Sequence, residues 1–314
     1  MPLPGNPPLV TIFGGGGFIG RYVCEALIKA GVRLRVAERQ PRNAFYLQPL
    51  GQVGQIALTS ADLARPATIE RAIEGAAAVI NLVGIFKGDL QAIHVDGAGA
   101  AAIAARDAGA SSFVQVSAIG ADPDSASLYG RTKGLGEQAV RAAFADATII
   151  RPSVVFGPED NFTNRFASMA RLPVVPVIAP DARFQPVYAR DLGQAIAMAA
   201  LDPQRFGGNN YDIAGPEVLT MRELNRRIAA MAGHSPDFVD VPDFIAGAIA
   251  KFGFLPGAPL TSDQWAMLQQ DNVAADDANG LEAFGIVPTP LAAVAPDWLG
   301  RFVKGGRFAP RATA

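Results

Sequence analysis

Short apolar runs alternate with longer helical patterns through the first half of this chain, and few folds accommodate that order. "PLVTIF" (8–13) reads as a buried strand and "GFIGRYVCEALIKAG" (17–31) as the helix after it. "VRLRVAE" (32–38) and "VGQIAL" (53–58) read as strands, "PATIERAIEG" (66–75) as a helix opened by Pro66, and "AAVINLVG" (77–84) as another strand. A long Ala-rich helix is expected over 90–109, a strand over 112–117, a helix over 127–144 and a strand over 147–155. Such alternation implies a parallel sheet with helices on both faces. Strands covered on both faces look continuously apolar, as these do. The expected class is α/β, a doubly wound parallel sheet with a smaller, mostly helical C-terminal domain.

Beyond Arg151 the pattern loosens. Prolines fall at 173, 176 and 180, a helix is expected over 189–201, and the loop "DPQRFGGNN" follows. Thr220 reads as the N-cap of a helix through 232, with Glu223 completing a capping box. A further helix is expected over 242–252. The expected domains are 8–155, joined by about 183–215, then 156–182 with 216–306, and a loose tail over 307–314.

"FGGGGFIG" places Gly14, Gly17 and Gly20 in GxxGxxG spacing between a strand and a helix. Glycine permits the tight turn and a close backbone approach to a pyrophosphate, and the helix N-terminus offers N–H groups and a positive dipole end. Dinucleotide binding is the expectation, with Phe18 and Ile19 in the same turn. Glu38 ends the second strand, where a carboxylate accepts from the adenosine ribose hydroxyls and favours NAD. Arg39 follows and suits a 2′-phosphate, which keeps NADP open. The local chemistry leans slightly to NAD. Asp62, with Leu63 beside it, stands where a side chain accepts from the adenine amino group; helix capping is an equal alternative. Asn81, Val83 and Gly84 end the fourth strand and Pro152 the sixth, all candidates for cofactor contact. For Asn81, a strand-end hydrogen bond is equally plausible.

Tyr129 and Lys133, in "LYGRTKGLGE", stand at i and i+4 on one helix face. A free tyrosine, with a pKa of about 10, is a poor acid–base group at neutral pH. A neighbouring ammonium and an oxidised nicotinamide favour its phenolate. Tyr129 then passes a proton while hydride moves at the cofactor, and Lys133 also holds the nicotinamide ribose.

At 314 residues, with 18% charged and net charge -2, the chain has nothing to attract a polyanion, so nucleic acid is not an expected partner. One cysteine, Cys24, forms no internal disulfide, and it and two histidines build no metal site. Cysteine usage fits a reducing cytoplasm. The first twenty residues lack a basic start and are broken by prolines and glycines, so no secretory leader is expected. "FIAGAIAKFGFLPGAPL" (244–260) is interrupted by Lys251 and two prolines, so no transmembrane segment is expected. The 244–255 stretch reads as a lid helix, ahead of a membrane- or partner-facing surface. His94 reads as helix packing or capping, Cys24 as buried apolar, and Asp191 as a strand-to-helix tie. Phe156, Phe162, Phe166, Phe184 and Tyr188 are candidates for a substrate cleft or for core.

Together "FGGGGFIG", "ADL", "VINLVG", "YGRTK", "IIRPSVVFGPED" and "PVYARDLGQAI" resemble the short-chain dehydrogenase/reductase superfamily, in its extended or atypical branch. The resemblance covers roughly 8 to 235. The stretch from "YGRTK" to "NFTNRFA", with "FQPVYARDLGQAI" and "LQQDNVA", is also similar to the nucleotide-binding accessory subunits of respiratory complex I and their bacterial relatives. It implies a Rossmann domain and cofactor contacts at Gly14, Gly17, Gly20, Arg39, Asp62, Tyr129 and Lys133. It also implies partners in complex I or at a membrane surface, and a cytoplasmic protein, peripheral at the inner membrane. One departure stands out. Active members end the fifth strand in two serines, whereas "VQVSAIG" puts Ala118 at the second. Ser117 is the substitute, although alternation turns it to the opposite side. The expected function is a tight NAD(P)(H) binder with a degenerate site, serving complex I or quinone metabolism. The alternatives are an active oxidoreductase, epimerase or dehydratase with Tyr129 as acid/base, and a redox-sensing regulator.

Overall fold

Seven parallel strands form the central sheet of the computed structural model, which describes residues 7–253 and 260–303. They are β1 (Leu9–Phe13), β2 (Arg33–Glu38), β3 (Ile56–Ser60), β4 (Ala78–Asn81), β5 (Ser112–Val116), β6 (Thr148–Pro152) and β7 (Asn210–Ile213). Their order is β7-β6-β5-β4-β1-β2-β3, and every neighbouring pair is parallel. The helices beside it are α1 (Phe18–Lys29), α2 (Pro66–Ile73), α3 (Gly97–Asp107), α4 (Leu128–Ala143) and α5 (Ala189–Leu201). The doubly wound α/β class expected from the alternation is the one observed. The third strand begins at Ile56, later than the pattern suggested, because the polar turn around Gly54 delays pairing with β2.

The strands are apolar because both their faces are covered. Val10, Ile12, Val36, Val79, Ile80, Phe113 and Val114 are completely buried. Each such side chain contributes about 1.5–3 kcal/mol of burial. The alanines of α3 contribute less individually but let the helix approach. Ala98, Ala101, Ala102 and Ala105 are all fully buried against Phe113 and Ile149.

The helix expected over 90–109 is not continuous. It opens with a π-helical turn, Ala92–Asp96, before α3. The turn lies against α4 at Gly136, where a β-carbon would strike the His94 carbonyl oxygen. Wide turns of this kind arise where an extra residue is accommodated in a helix, and they cluster at functional sites.

The chain divides into two compact units. The first holds the described residues through Pro152, with Ala189–Ile213 and Ala275–Val287. Its last segment is anchored by Phe284, stacked on Phe206 at 4.5 Å between ring centroids. The second unit holds Ser153–Tyr188, Ala214–Ala274 and the described residues from Pro288. It contains three two-stranded sheets and helices including Phe162–Met169, Met221–Met231 and Asp243–Lys251. The Thr220–Glu223 capping box is formed in both directions. Phe156 and Phe184 are buried in this unit's cores, with Phe162, Phe166 and Tyr188 packed against them. The tail, 307–314, lies outside the described residues, as do 254–255 of the stretch read as a lid.

Candidate functional site

The strand order reverses at β1, which is flanked by β2 on one side and β4 on the other. In open sheets of this kind ligands bind beyond the carboxyl ends of the strands at this switch point. The glycine loop lies there. Gly14 has φ +78°, a region that glycine occupies without penalty. It also sits against the β4 exit, because a β-carbon there would lie 3.3 Å from Val83 Cγ2. A β-carbon at Gly20 would lie 2.6 Å from the Gly14 carbonyl oxygen and closer still to that of Gly15. The helix therefore packs on the loop only with glycine at this position.

The loop's donors fit an anion. α1 starts at Phe18 with Gly17 as N-cap, no side chain caps it, and its first turn carries no acidic residue. The first-turn N–H groups of such a helix have no intrahelical acceptors and suit a pyrophosphate. Ile19 is half-buried in that turn, and Phe18 meets Tyr22 edge-to-face at 6.0 Å.

Glu38 reaches back from β2 into the loop, and its Oε1 accepts from the Gly16 N–H at 2.6 Å. Burial raises the Glu38 pKa, against the lowering effects of that hydrogen bond and of Arg39. Arg39 itself is exposed. Two neighbours were not legible in the sequence. Tyr46 donates to the Gly16 carbonyl oxygen at 3.0 Å, and the Arg21 guanidinium lies 4.4 Å over the Tyr46 ring. Tyr46 belongs to a 3₁₀ helix, Pro41–Leu50, whose sequence carries no strong helical periodicity.

Asp62 organises the turn after β3. Its Oδ1 accepts from the Ala64 N–H at 3.1 Å, while Arg65 is the N-cap of α2. Leu63 is buried in the core, 2.8 Å from where a β-carbon at Gly97 would stand. Asn81 uses both ends of its amide within the protein. Nδ2 donates to Gln115 Oε1 at 2.9 Å across β4 and β5, and Oδ1 accepts from the Val83 N–H at 3.1 Å. Pro152 is buried at the end of β6, where its carbonyl oxygen accepts from the Ile119 N–H at 3.0 Å.

α4 is capped by Ser127, whose Oγ accepts from the Gly130 N–H at 2.8 Å. Tyr129 and Lys133 follow one turn apart and converge on the β4 exit. A β-carbon at Gly84 would lie 3.7 Å from Lys133 Nζ and 4.0 Å from the Tyr129 hydroxyl oxygen. Lys133 is buried and donates to the Val116 carbonyl oxygen at 2.8 Å. The expected electrostatics need correction. Burial pushes Tyr129 up to about 12 and Lys133 down to about 8. Within the polypeptide, desolvation disfavours both charged forms and outweighs the ammonium's pull on the phenol.

His94 holds more than its residue type announced. It is buried, and Nε2 accepts from the Ile85 N–H at 3.0 Å. That acceptance puts the ring proton on Nδ1, 2.9 Å from Thr132 Oγ1. Thr132 Oγ1 in turn donates to the Tyr129 carbonyl oxygen at 3.1 Å. Burial, then Lys133, lowers the His94 pKa to about 4, so the ring is neutral at pH 7. The Ser117 hydroxyl is buried with no hydrogen-bond partner, beside a half-buried Ala118. Cys24 is buried and its thiol pushed up to about 12, which leaves it inert.

A glycine loop at the switch point of a parallel sheet, with a Tyr–Lys pair converging on the β4 exit, defines the class: an extended short-chain dehydrogenase/reductase. The chain belongs to the NAD dependent epimerase/dehydratase family, whose model matches residues 10–214. It is 32% identical over 292 residues to the rat mitochondrial NADH dehydrogenase [ubiquinone] 1 alpha subcomplex subunit 9, covering 90% of this chain and 77% of that one. It is 33% identical over 250 residues to a ceramide reductase of Caulobacter vibrioides, covering 77% of each. An NADPH-dependent quinone oxidoreductase of Escherichia coli, solved with NADPH, superposes with TM-score 0.76 at 20% identity, over 92% of this chain and 99% of that one. No helix among the described residues is long and apolar enough to cross a membrane.

Proposed function

We propose that this protein holds NAD(P)(H) tightly at the β1/β4 switch point, with little turnover, in the service of respiratory complex I or quinone metabolism. The observation that carries the reading is the convergence of Tyr129, Lys133 and Gly84 beside the glycine loop. In it Gly14, Gly17, Phe18, Ile19 and Gly20 hold the pyrophosphate, Glu38 the adenosine ribose, and Asp62 with Leu63 the adenine side. Val83, Gly84, Pro152, Tyr129 and Lys133 surround the nicotinamide half, with Asn81 shaping the β4 exit. When bound, a reduced nicotinamide supplies hydride. Ala118 stands where a substrate-orienting hydroxyl is expected, and losing that donor weakens orientation more than cofactor binding. The likeness to the complex I subunit supports a partner there. The proposed place is the cytoplasm, peripheral at the inner membrane.

The Glu38–Gly16 hydrogen bond supports NAD over NADP. It keeps the carboxylate at the loop, where a 2′-phosphate would meet its charge. Nucleotide retained through purification is identified by absorbance and mass spectrometry. If none co-purifies and neither NADH nor NADPH raises the melting temperature, the reading fails.

An active reductase is the second reading, favoured by the intact Tyr129–Lys133 geometry and the likeness to the ceramide reductase. There Tyr129 delivers the proton to the substrate oxygen, Lys133 orients the ribose, and Ser117 replaces the missing donor. Turnover lost in Tyr129→Phe with nucleotide affinity kept establishes it.

A further inference from the structure

We propose that Phe86 is the specificity-determining residue beside Tyr129, and that the site it borders takes apolar, ring-bearing carbonyl compounds rather than polyhydroxylated ones. Phe86 lies on the loop after β4, and its ring stacks on that of Tyr129 at 4.5 Å between centroids and 15° between planes. It does so while 64% exposed. A phenylalanine stacked on the tyrosine while presented to solvent adds an apolar rim beside it without contributing to a core. The segments that leave β4, where Gly84 lies beside the Tyr129 hydroxyl, and β5 repeat this chemistry. They carry Val83, Gly84, Ile85 and Phe86 on one side, and Ala118 and Ile119, after the buried Ser117, on the other. None of these side chains donates or accepts a hydrogen bond. A sugar brought here would find no partner for most of its hydroxyls among these side chains, the Ser117 hydroxyl being buried, whereas an apolar ring loses nothing and gains contact with Phe86.

The arrangement is held from behind by His94, which we assign as a positioning residue. Its Nε2 fixes the backbone of Ile85, the residue before Phe86, at 3.0 Å. Its Nδ1–H fixes Thr132 at 2.9 Å, and Thr132 Oγ1 donates to the Tyr129 carbonyl oxygen. The imidazole also meets the Tyr129 ring edge-to-face, at 5.5 Å and 90°. One buried side chain therefore sets the two elements whose rings stack. The inference deepens the proposed function by naming what the site accepts, and it requires binding rather than turnover.

The test is calorimetric binding of 2-methyl-1,4-naphthoquinone to the full chain as purified with its nucleotide, with uridine diphosphate glucose as the polyhydroxylated comparison. Nucleotide affinity is measured on every variant. The quinone should bind and the sugar nucleotide should not. Phe86→Ala should weaken quinone binding roughly fivefold to tenfold, and Phe86→Trp should stay within about twofold of the native chain. Phe86 is exposed, so these variants test the wall without disturbing the core. His94→Ala should lose affinity as Phe86→Ala does, and His94→Gln should restore it, because an amide both accepts from Ile85 and donates to Thr132. Equal quinone affinity in native and Phe86→Ala protein overturns the proposal, as does preferential binding of the sugar nucleotide. Phe86-dependent quinone binding in a protein that holds no nucleotide keeps this inference and removes the dinucleotide reading instead.

Discussion

Lys133 donates from Nζ to the carbonyl oxygen of Val116 at 2.8 Å, so the dyad's ammonium is tied to the end of β5 inside the protein. Its burial has a pH signature. The Lys133 pKa falls from 10.5 to about 8 on folding, so between those values the unfolded chain binds more protons and stability climbs with pH. Below pH 8 the whole cost of the buried charge is present. Tyr129 acts oppositely above pH 10, because its pKa rises from 10.0 to about 12 and the unfolded chain ionises first. Urea denaturation of the native chain should show stability rising from pH 8 to 10 and falling beyond. Lys133→Met should flatten the rise and add on the order of 2 kcal/mol at pH 7, the relief of desolvation less a lost hydrogen bond. A variant with the same rising limb would show that another group titrates there.

On the proposed reading, Glu38 sets cofactor choice through its charge. Glu38→Gln keeps an acceptor for the Gly16 N–H but removes repulsion towards a 2′-phosphate. NAD affinity should change by less than about threefold, while NADP affinity rises tenfold or more, equivalent to roughly 1.4 kcal/mol. Arg39→Ala should weaken NADP alone. Fluorescence titration of both cofactors decides the matter, and unaltered NADP affinity in Glu38→Gln would exclude the carboxylate from the choice.

Ala118→Ser restores the hydroxyl that the strand end lacks. Turnover of a carbonyl substrate with NADH should rise about tenfold or more, with nucleotide affinity unchanged, as expected when a lost positioning group returns. If turnover stays level, Ala118 does not stand in for a missing substrate-orienting group.

Glu137 and Arg151 form a bidentate pair, with Arg151 Nε 2.9 Å from Oε1 and Nη2 2.5 Å from Oε2. The Glu137 side chain is 9% exposed and that of Arg151 28%. Breaking the pair in Glu137→Leu should cost roughly 2–4 kcal/mol, because it strands a half-buried guanidinium. Adding Arg151→Met should recover most of that loss. Chemical denaturation of the single and double variants measures both changes, and a double variant no better than the single one would refute this origin of the cost.

The doubly wound sheet was readable because its evidence is local. Strands covered on both faces are apolar throughout, and the intervening helices carry their own periodicity. The glycine loop and the Tyr129–Lys133 spacing were readable for the same reason, since each lies within one turn or one helix face. Glu38 was legible as a strand-end carboxylate, but its bond to Gly16 spans 22 residues and depends on how β2 pairs with β1. His94 shows the limit most clearly. It reads as packing on the Ala-rich helix, yet its role arises from a π-helical turn and from partners on two other segments.

By itself the sequence determined the alternation, the nucleotide loop and the placing of a tyrosine one turn from a lysine, all properties of neighbouring residues along the chain. Only the tertiary structure decided the charge environment of that tyrosine and the rings around it. Burial raises Tyr129 and lowers Lys133, and Phe86 and His94 meet the phenol from other segments. Desolvation and stacking depend on what packs from elsewhere, and no spacing within one helix encodes that.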